Sequence, residues 1–248
     1  MQTTLPARLY GDPEAWSRER TAVFERAWLF LGHEAEAANA GDWIATDIAG
    51  LRLVMVRGAD GILRAFHNVC RHRAGPLVTG QRGRCAGELV CAYHGWRYTL
   101  DGRLRAATGF GAAEGFDPRE FGLFSLRLEV WRGLVFVNTD GEAGPLAGHV
   151  APLQALLVER GLDMAAPALR RSHDLACDWK VYAENYLEGY HIGAVHPVLA
   201  DELGQAEYRV RIDGDLVIQE ATGVNDGPQA GVWGWLWPNL GINVYRDS

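Results

Sequence analysis

The apolar positions of this chain change period along its length. Asp12-Pro13 pairs an N-cap residue with Pro at a first helical position, and Trp16, Val23, Phe24, Ala27, Trp28 and Leu31 then recur near helical spacing. That pattern predicts a helix through about Leu31. From Gly41 to about Asp140 the period shortens to that of strands, with runs at 51–57, 62–67, 123–130 and 134–137. Asp60-Gly61 and Asp101-Gly102 are strong hairpin signals, and Arg132-Gly133 is a weaker one. A linker near 141–148 leads to a helix near 152–160. Helical character returns from about Trp179 to His191, and a last hairpin turns at Asp213-Gly214 between runs at 208–212 and 216–220. The predicted fold class is α+β: an antiparallel β domain followed by an antiparallel sheet with helices. The expected organisation is a helical segment over 1–40 packing on the last domain, a β domain over 41–140, and a mixed domain over 141–248.

Composition narrows the classes. Apolar residues make up 48% of the chain, enough for a sizeable core. A formal charge of −7 without a basic cluster argues against nucleic acid. No apolar run approaches a membrane span, and the first residues lack the apolar stretch of a signal peptide. A cytoplasmic enzyme is the expectation. Of the four cysteines, Cys85 and Cys177 read as free thiols in a reducing compartment.

The other two cysteines carry the chemistry. Cys70-Arg71-His72 and Cys91-Ala92-Tyr93-His94 each offer one thiolate and one imidazole. Structural zinc more often takes two cysteines from one loop and two histidines from another. In a Rieske [2Fe–2S] centre one iron has two Cys ligands and the other two His ligands. Two loops that each supply both types suit that centre. His67-Asn68-Val69, Gly75-Pro76-Leu77 and Gly95-Trp96-Arg97-Tyr98 flank the pairs, and Gly and Pro bend such loops. Residues 67–98 resemble the Rieske domain of bacterial ring-hydroxylating and related non-haem iron oxygenases. They also resemble Rieske ferredoxins, so this string alone says electron transfer. On the resemblance, Cys70, His72, Cys91 and His94 hold the cluster.

A second constellation separates those readings. His191 and His196 are five apart, which on an ideal helix at ~100° per residue sets them about 140° from each other. They can meet at one metal only if the helix breaks, and Gly193 and Pro197 are expected to break it. Two histidines so placed suit the two-His-one-carboxylate triad of non-haem Fe(II), which leaves positions open for O2 and substrate. Residues 178–197 are similar to the catalytic-iron segment of Rieske oxygenase α subunits, where Asn-x-x-(Asp/Glu)-x-Tyr-His-x4-His recurs. The resemblance implies that His191 and His196 bind a mononuclear Fe(II) and that Asn185 stands near it. Glu188 takes the position of the family's bridging acid, which joins an iron histidine to a Rieske histidine of the neighbouring subunit. Many members have Asp there. Glu is a departure associated with enzymes resembling the carnitine, choline and glycine-betaine oxygenases.

The family's third ligand is a carboxylate on a helix far downstream. After His196 this chain offers Asp201, Glu202, Glu207, Asp213, Asp215, Glu220, Asp226 and Asp247, none in a recognisable ligand context. The chain therefore reads as an α subunit truncated at its C-terminus, or a naturally short relative. Trp233, Trp235 and Trp237 alternate, so on a strand they share a face. They are expected mainly as core, with cation–π binding of a quaternary amine as the alternative.

The resemblance as a whole implies the oxygenase component of a multicomponent system. A reductase or ferredoxin feeds electrons through the cluster to Fe(II), where O2 oxidises a small aromatic or quaternary-amine substrate by mono- or dioxygenation. Family members form α3 rings, some with β subunits. The alternatives are an electron-transfer protein without a working iron site, and a zinc-stabilised binding module.

Overall fold

The computed structural model describes residues 4–110, 113–203, 207–222 and 231–245. These fall into two compact units. One takes in Phe24–Ala143 with Met164–Arg170. The other takes in the described residues up to Val23, Gly144–Asp163 and those from Arg171 onward. Among the described residues no helix is long and apolar enough to cross a membrane.

The first unit is antiparallel β. Its strands are β1 (Leu29–His33), β2 (Asp42–Ile48), β3 (Leu51–Arg57), β4 (Leu63–His67), β5 (Arg82–Arg84), β6 (Glu88–Val90), β7 (Arg97–Thr99), β8 (Leu104–Ala106), β9 (Ser125–Trp131) and β10 (Leu134–Asn138). Seven form a sheet in the order β1-β10-β9-β4-β3-β2-β5, and β6-β7-β8 form a second. On the central strand β3, Leu53, Val54, Met55 and Val56 are all fully buried, as expected for a strand covered on both faces. Trp43, Val54 and Phe66 of the large sheet pack with Leu89 and Tyr98 of the small one and with Trp96 just before β7, and Cys70 and Cys91 belong to the same core.

The turns follow their residue types. Arg132 and Gly133 both have positive φ, +48° and +80°, so this weak signal is a two-residue turn of the type that suits a right-twisted hairpin. Gly102 has φ +86°, and a Cβ there would lie 2.5 Å from the Phe66 ring. Gly102→Ala should therefore lower stability by roughly 2–4 kcal/mol, combining left-handed strain with overpacking. A lower urea midpoint at unchanged slope checks it.

The first predicted helix is shorter than its apolar spacing implied. Asp12 caps α1 (Pro13–Glu19) by accepting from the Glu14 N–H at 2.9 Å, as the capping signal indicated. After one π-helical turn over Arg20–Phe24 the chain leaves the helix, and Leu29–His33 becomes β1, paired with β10. Tertiary partners end the helix. Asn138 Nδ2 donates to the Arg26 and Ala27 carbonyls, and the Thr139 hydroxyl to that of Glu25. These capture carbonyls that a longer helix would use internally.

The second unit joins helices to a four-stranded antiparallel sheet. The helices are α1, α2 (Leu146–Arg160), α3 (Trp179–Tyr186), α4 (Ile192–Val195) and α5 (Pro197–Leu203). The strands β11 (Glu207–Asp213), β12 (Leu216–Thr222), β13 (Gly231–Leu236) and β14 (Leu240–Tyr245) lie in sequence order. Helix α2 starts six residues before its expected position and carries Pro152 inside it. Its buried Leu146, Val150, Leu153 and Leu157 continue one apolar stripe through the segment read as linker. The buried ammonium of Lys180 bonds Glu19 at 2.7 Å and Asp178 at 2.8 Å, and Trp179 Nε1 donates to the same Glu19 carboxylate. This network ties α1 to α3.

Candidate functional site

Two loops of the first unit bring Cys70, His72, Cys91 and His94 together. The first follows β4. Buried Asn68 closes it like a clasp: its Oδ1 accepts from Leu77 and Val78 N–H at 2.9 and 3.1 Å, and its Nδ2 donates to the Val78 carbonyl. The Cys70 N–H donates to Gly75 O, and Ala74 N–H to Cys70 O. The second loop links β6 to β7, with Cys91 N–H donating to Trp96 O and Gly95 N–H to Cys91 O.

Both sulfurs are buried, with Cys70 3% and Cys91 2% exposed. Burial pushes the Cys91 thiol up, while backbone bonds from Tyr93 and His94 to its sulfur work the other way. The His72 and His94 rings lie 4.6 Å apart, near perpendicular, and His72 stacks on Trp96 at 4.9 Å. Among the described residues His72 Nδ1 is buried without a hydrogen-bond partner. A Cβ on Gly75 would stand 3.4 Å from Cys91 Sγ, so the loop passes close over the sulfur.

Among the described residues no three His, Cys, Asp or Glu side chains converge on one metal position. A Rieske centre asks each iron to take two protein ligands. The paired buried sulfurs, the paired rings and the His72 nitrogen fit that demand.

In the second unit α3 ends at Tyr186, five residues before His191. His191 is the N-cap of α4, and His196 lies between α4 and α5 with φ −122° and ψ 67°. Pro197 thus holds His196 out of the helix as expected. Gly193 does not break the helix; it sits inside α4. The break before His191 falls at 187–190 instead, where Gly189 packs against Tyr208 so closely that a Cβ would lie 2.6 Å from its ring. The two histidine rings end 5.1 Å apart at 76°.

Glu188 bonds His191 Nδ1 at 2.5 Å and also accepts from the Tyr190 N–H. Burial would raise the Glu188 pKa, but the His191 and Tyr190 bonds outweigh it and hold the carboxyl below its ordinary value. With Nδ1 engaged, Nε2 of His191 is the nitrogen left for a metal.

His191 and His196 line a cavity of about 620 Å3 with Asn185, Tyr186, Glu188, Tyr208, Gln219, Trp233 and Asn243. Tyr208, Gln219 and Asn243 escaped the sequence reading. Gln219 is 1% exposed; its Nε2 donates to Tyr186 O and its Oε1 accepts from the Tyr208 hydroxyl. A polar residue in phase with Val217 and Ala221 on β12 was the available signal.

Among the described residues no carboxylate besides Glu188 lines the cavity. Asp215 pairs with His149, Glu220 with Arg160 and Arg211, and Glu207 with Arg209. Asp226 and Asp247 lie outside the described residues. The three tryptophans divide. Trp233 reaches the cavity, Trp235 is buried beneath Tyr182 and Tyr186, and Trp237 has left β13 and meets Trp179 edge-on.

Residues 27–117 match the Rieske [2Fe-2S] domain family, and residues 162–248 match the ring hydroxylating alpha subunit (catalytic domain) family. The chain is 34% identical to the carnitine monooxygenase oxygenase subunit of Escherichia coli K12, over 97% of this chain and 67% of that protein. It is 35% identical to the glycine betaine monooxygenase oxygenase subunit of Chromohalobacter salexigens, over 81% of this chain and 44% of that one. The crystal structure of the quaternary ammonium Rieske monooxygenase CntA with L-carnitine superposes with a TM-score of 0.82 at 31% identity, covering 98% of this chain and 67% of CntA. The chain thus spans between about half and two thirds of the length of such relatives. With both domain families matched in order and similarity running nearly end to end, the chain belongs to the Rieske oxygenase α-subunit family, alongside the carnitine and glycine betaine monooxygenase oxygenase subunits.

Proposed function

We propose that this chain is the oxygenase component of a Rieske monooxygenase acting on a small quaternary ammonium compound. The observation that carries the reading is the Glu188–His191 bond of 2.5 Å at the edge of an aromatic-walled cavity that also takes in His196. Cys70, His72, Cys91 and His94 would hold the [2Fe–2S] cluster. His191 and His196 would supply two ligands of a mononuclear Fe(II). When bound, these groups supply one-electron transfer and O2 activation.

The chain's own residues do the rest. Glu188 fixes the ring orientation and tautomer of His191. In an assembled trimer its second oxygen would accept from the partner subunit's His94, giving electrons a short route between protomers. Asn185 is an amide at the cavity wall that can orient a ligand. Tyr186, Tyr208 and Trp233 offer ring faces to a methylated ammonium, and among the described residues lining the cavity there is no Lys or Arg to repel one. The electron donor is a reductase or ferredoxin. Four unbridged cysteines agree with a cytoplasmic location.

The test is O2 uptake with a reducing partner, matched to product formation from carnitine, choline or glycine betaine. Uptake that no such compound stimulates would remove the substrate assignment. Trp233→Ala should raise KM for the cation by roughly 2–30-fold, the equivalent of about 0.5–2 kcal/mol. Binding of a neutral tert-butyl analogue should change less.

A further inference from the structure

Three aromatic rings of the second unit touch one another. Tyr182 and Tyr186 stand one turn apart on α3, with their rings stacked at 6.4 Å. Trp235 on β13 lies against both, 5.3 Å from Tyr186 and 6.2 Å from Tyr182. Tyr186 lines the cavity that takes in His191 and His196. Trp235 is buried, whereas Tyr182 is 47% exposed. The contacts thus run from the cavity wall to the surface.

The placement of protons gives this path a direction. The Tyr186 hydroxyl donates to Asn243 Oδ1 at 2.5 Å and lies 3.2 and 3.3 Å from the Gly234 and Ile242 carbonyls. These are neutral amide oxygens, too weakly basic to keep a phenolic proton. Among the described residues Trp235 Nε1 is buried without a partner. A ring that loses an electron at either place keeps its proton and becomes a buried cation, which is costly. Tyr182, half open to solvent, can pass its proton to water and rest as a neutral radical. An electron vacancy formed at Tyr186 therefore moves outward to Tyr182.

We propose that Tyr186, Trp235 and Tyr182 drain oxidising equivalents from the cavity to the surface, protecting the site when O2 is reduced and no substrate is present. The inference rests on the reading that His191 and His196 hold an iron that activates O2. The O2-derived oxidant takes one electron from Tyr186 and one proton from water. Trp235, or Tyr182 through the direct stack, refills Tyr186. Tyr182 ends one electron short, and its hydroxyl proton goes to water. A soluble thiol then returns a hydrogen atom to Tyr182, and two thiyl radicals so formed couple to a disulfide. Each event moves one hydrogen atom from thiol to oxidant and consumes no residue.

The experiment exposes the purified, reduced, metal-loaded protein to O2 without substrate. Freeze-quenched samples are read by EPR, and parallel samples with a nitroso spin trap are mapped by peptide mass spectrometry. Wild type should give a tyrosyl signal and a trap adduct at Tyr182, and added thiol should quench both. Tyr182→Phe keeps the ring and its packing and removes only the hydroxyl. Signal and adduct should then be lost, and oxygen should be added instead to the rings of Tyr186 and Trp233 at the cavity wall. Iron-loaded wild type without an adduct at Tyr182 overturns the proposal. So does cavity oxidation that is the same in Tyr182→Phe as in wild type. A protein that binds no iron beyond the cluster overturns instead the reading on which the proposal rests.

Discussion

Replacing His72 or His94 with Ala should abolish the low-average-g EPR signal of the reduced, purified protein. Mixed nitrogen and sulfur ligation gives a Rieske centre that signal, and on the proposed ligation each histidine would be half of the protein ligation of one iron. The side chains stand at the edge of the core rather than in it. His72 is partly exposed on a loop already closed by Asn68, and His94 is partly exposed beside Gly95. The fold should thus outlast the cluster, so loss of the signal in a protein of unchanged circular dichroism separates ligation from folding. Cys91→Ser is a less clean test, because Cys91 belongs to the packed core. Wild-type protein prepared without air should carry iron and acid-labile sulfide. Zinc in their place would falsify the cluster and return the two loops to a structural role.

Glu188→Gln should leave both metals bound and uncouple them, with turnover falling by about 10²-fold, the upper end for the loss of a partner that orients a metal-binding histidine. The carboxylate accepts from His191 Nδ1–H with a full negative charge, which makes that bond short and strong. An amide of the same size has one weaker acceptor and one donor. In a trimer it also cannot accept from two imidazoles with equal strength. The measurement is a single turnover of pre-reduced protein mixed with O2 and substrate. The cluster of the variant should stay reduced over the time in which wild type oxidises. Oxidation at the wild-type rate would make Glu188 a helix-end charge and nothing more.

The two groups of candidate residues were legible because each is local. Cys70 and His72, or Cys91 and His94, are close enough along the chain that one loop holds both. Glu188 and His191 likewise meet within one turn of chain. Asp101-Gly102 and Asp60-Gly61 announced their turns for the same reason: a left-handed backbone is a property of one residue. Pro197 restricted His196 directly.

Features that depended on distant partners were not legible. Leu29 and Leu31 fit a helical stripe as well as a strand face, and pairing with β10 together with the Asn138 bonds made them strand. Gly193 looked like the helix breaker by position, but the close approach of Tyr208 to Gly189 put the break elsewhere. The Tyr208–Gln219 wall and the Tyr98–Cys70 contact join residues from different elements, and no periodicity records such meetings. The sequence by itself determined the candidate residue types, their pairing within loops, the hairpin turns and the α+β class, since these depend on residue chemistry over a few positions. Only the tertiary structure decided where α3 stops, which tryptophan faces the cavity and which hydroxyl touches the Cys70 sulfur. Those follow from strand register and core packing, where residues far apart in the chain compete for the same space and the same hydrogen bonds.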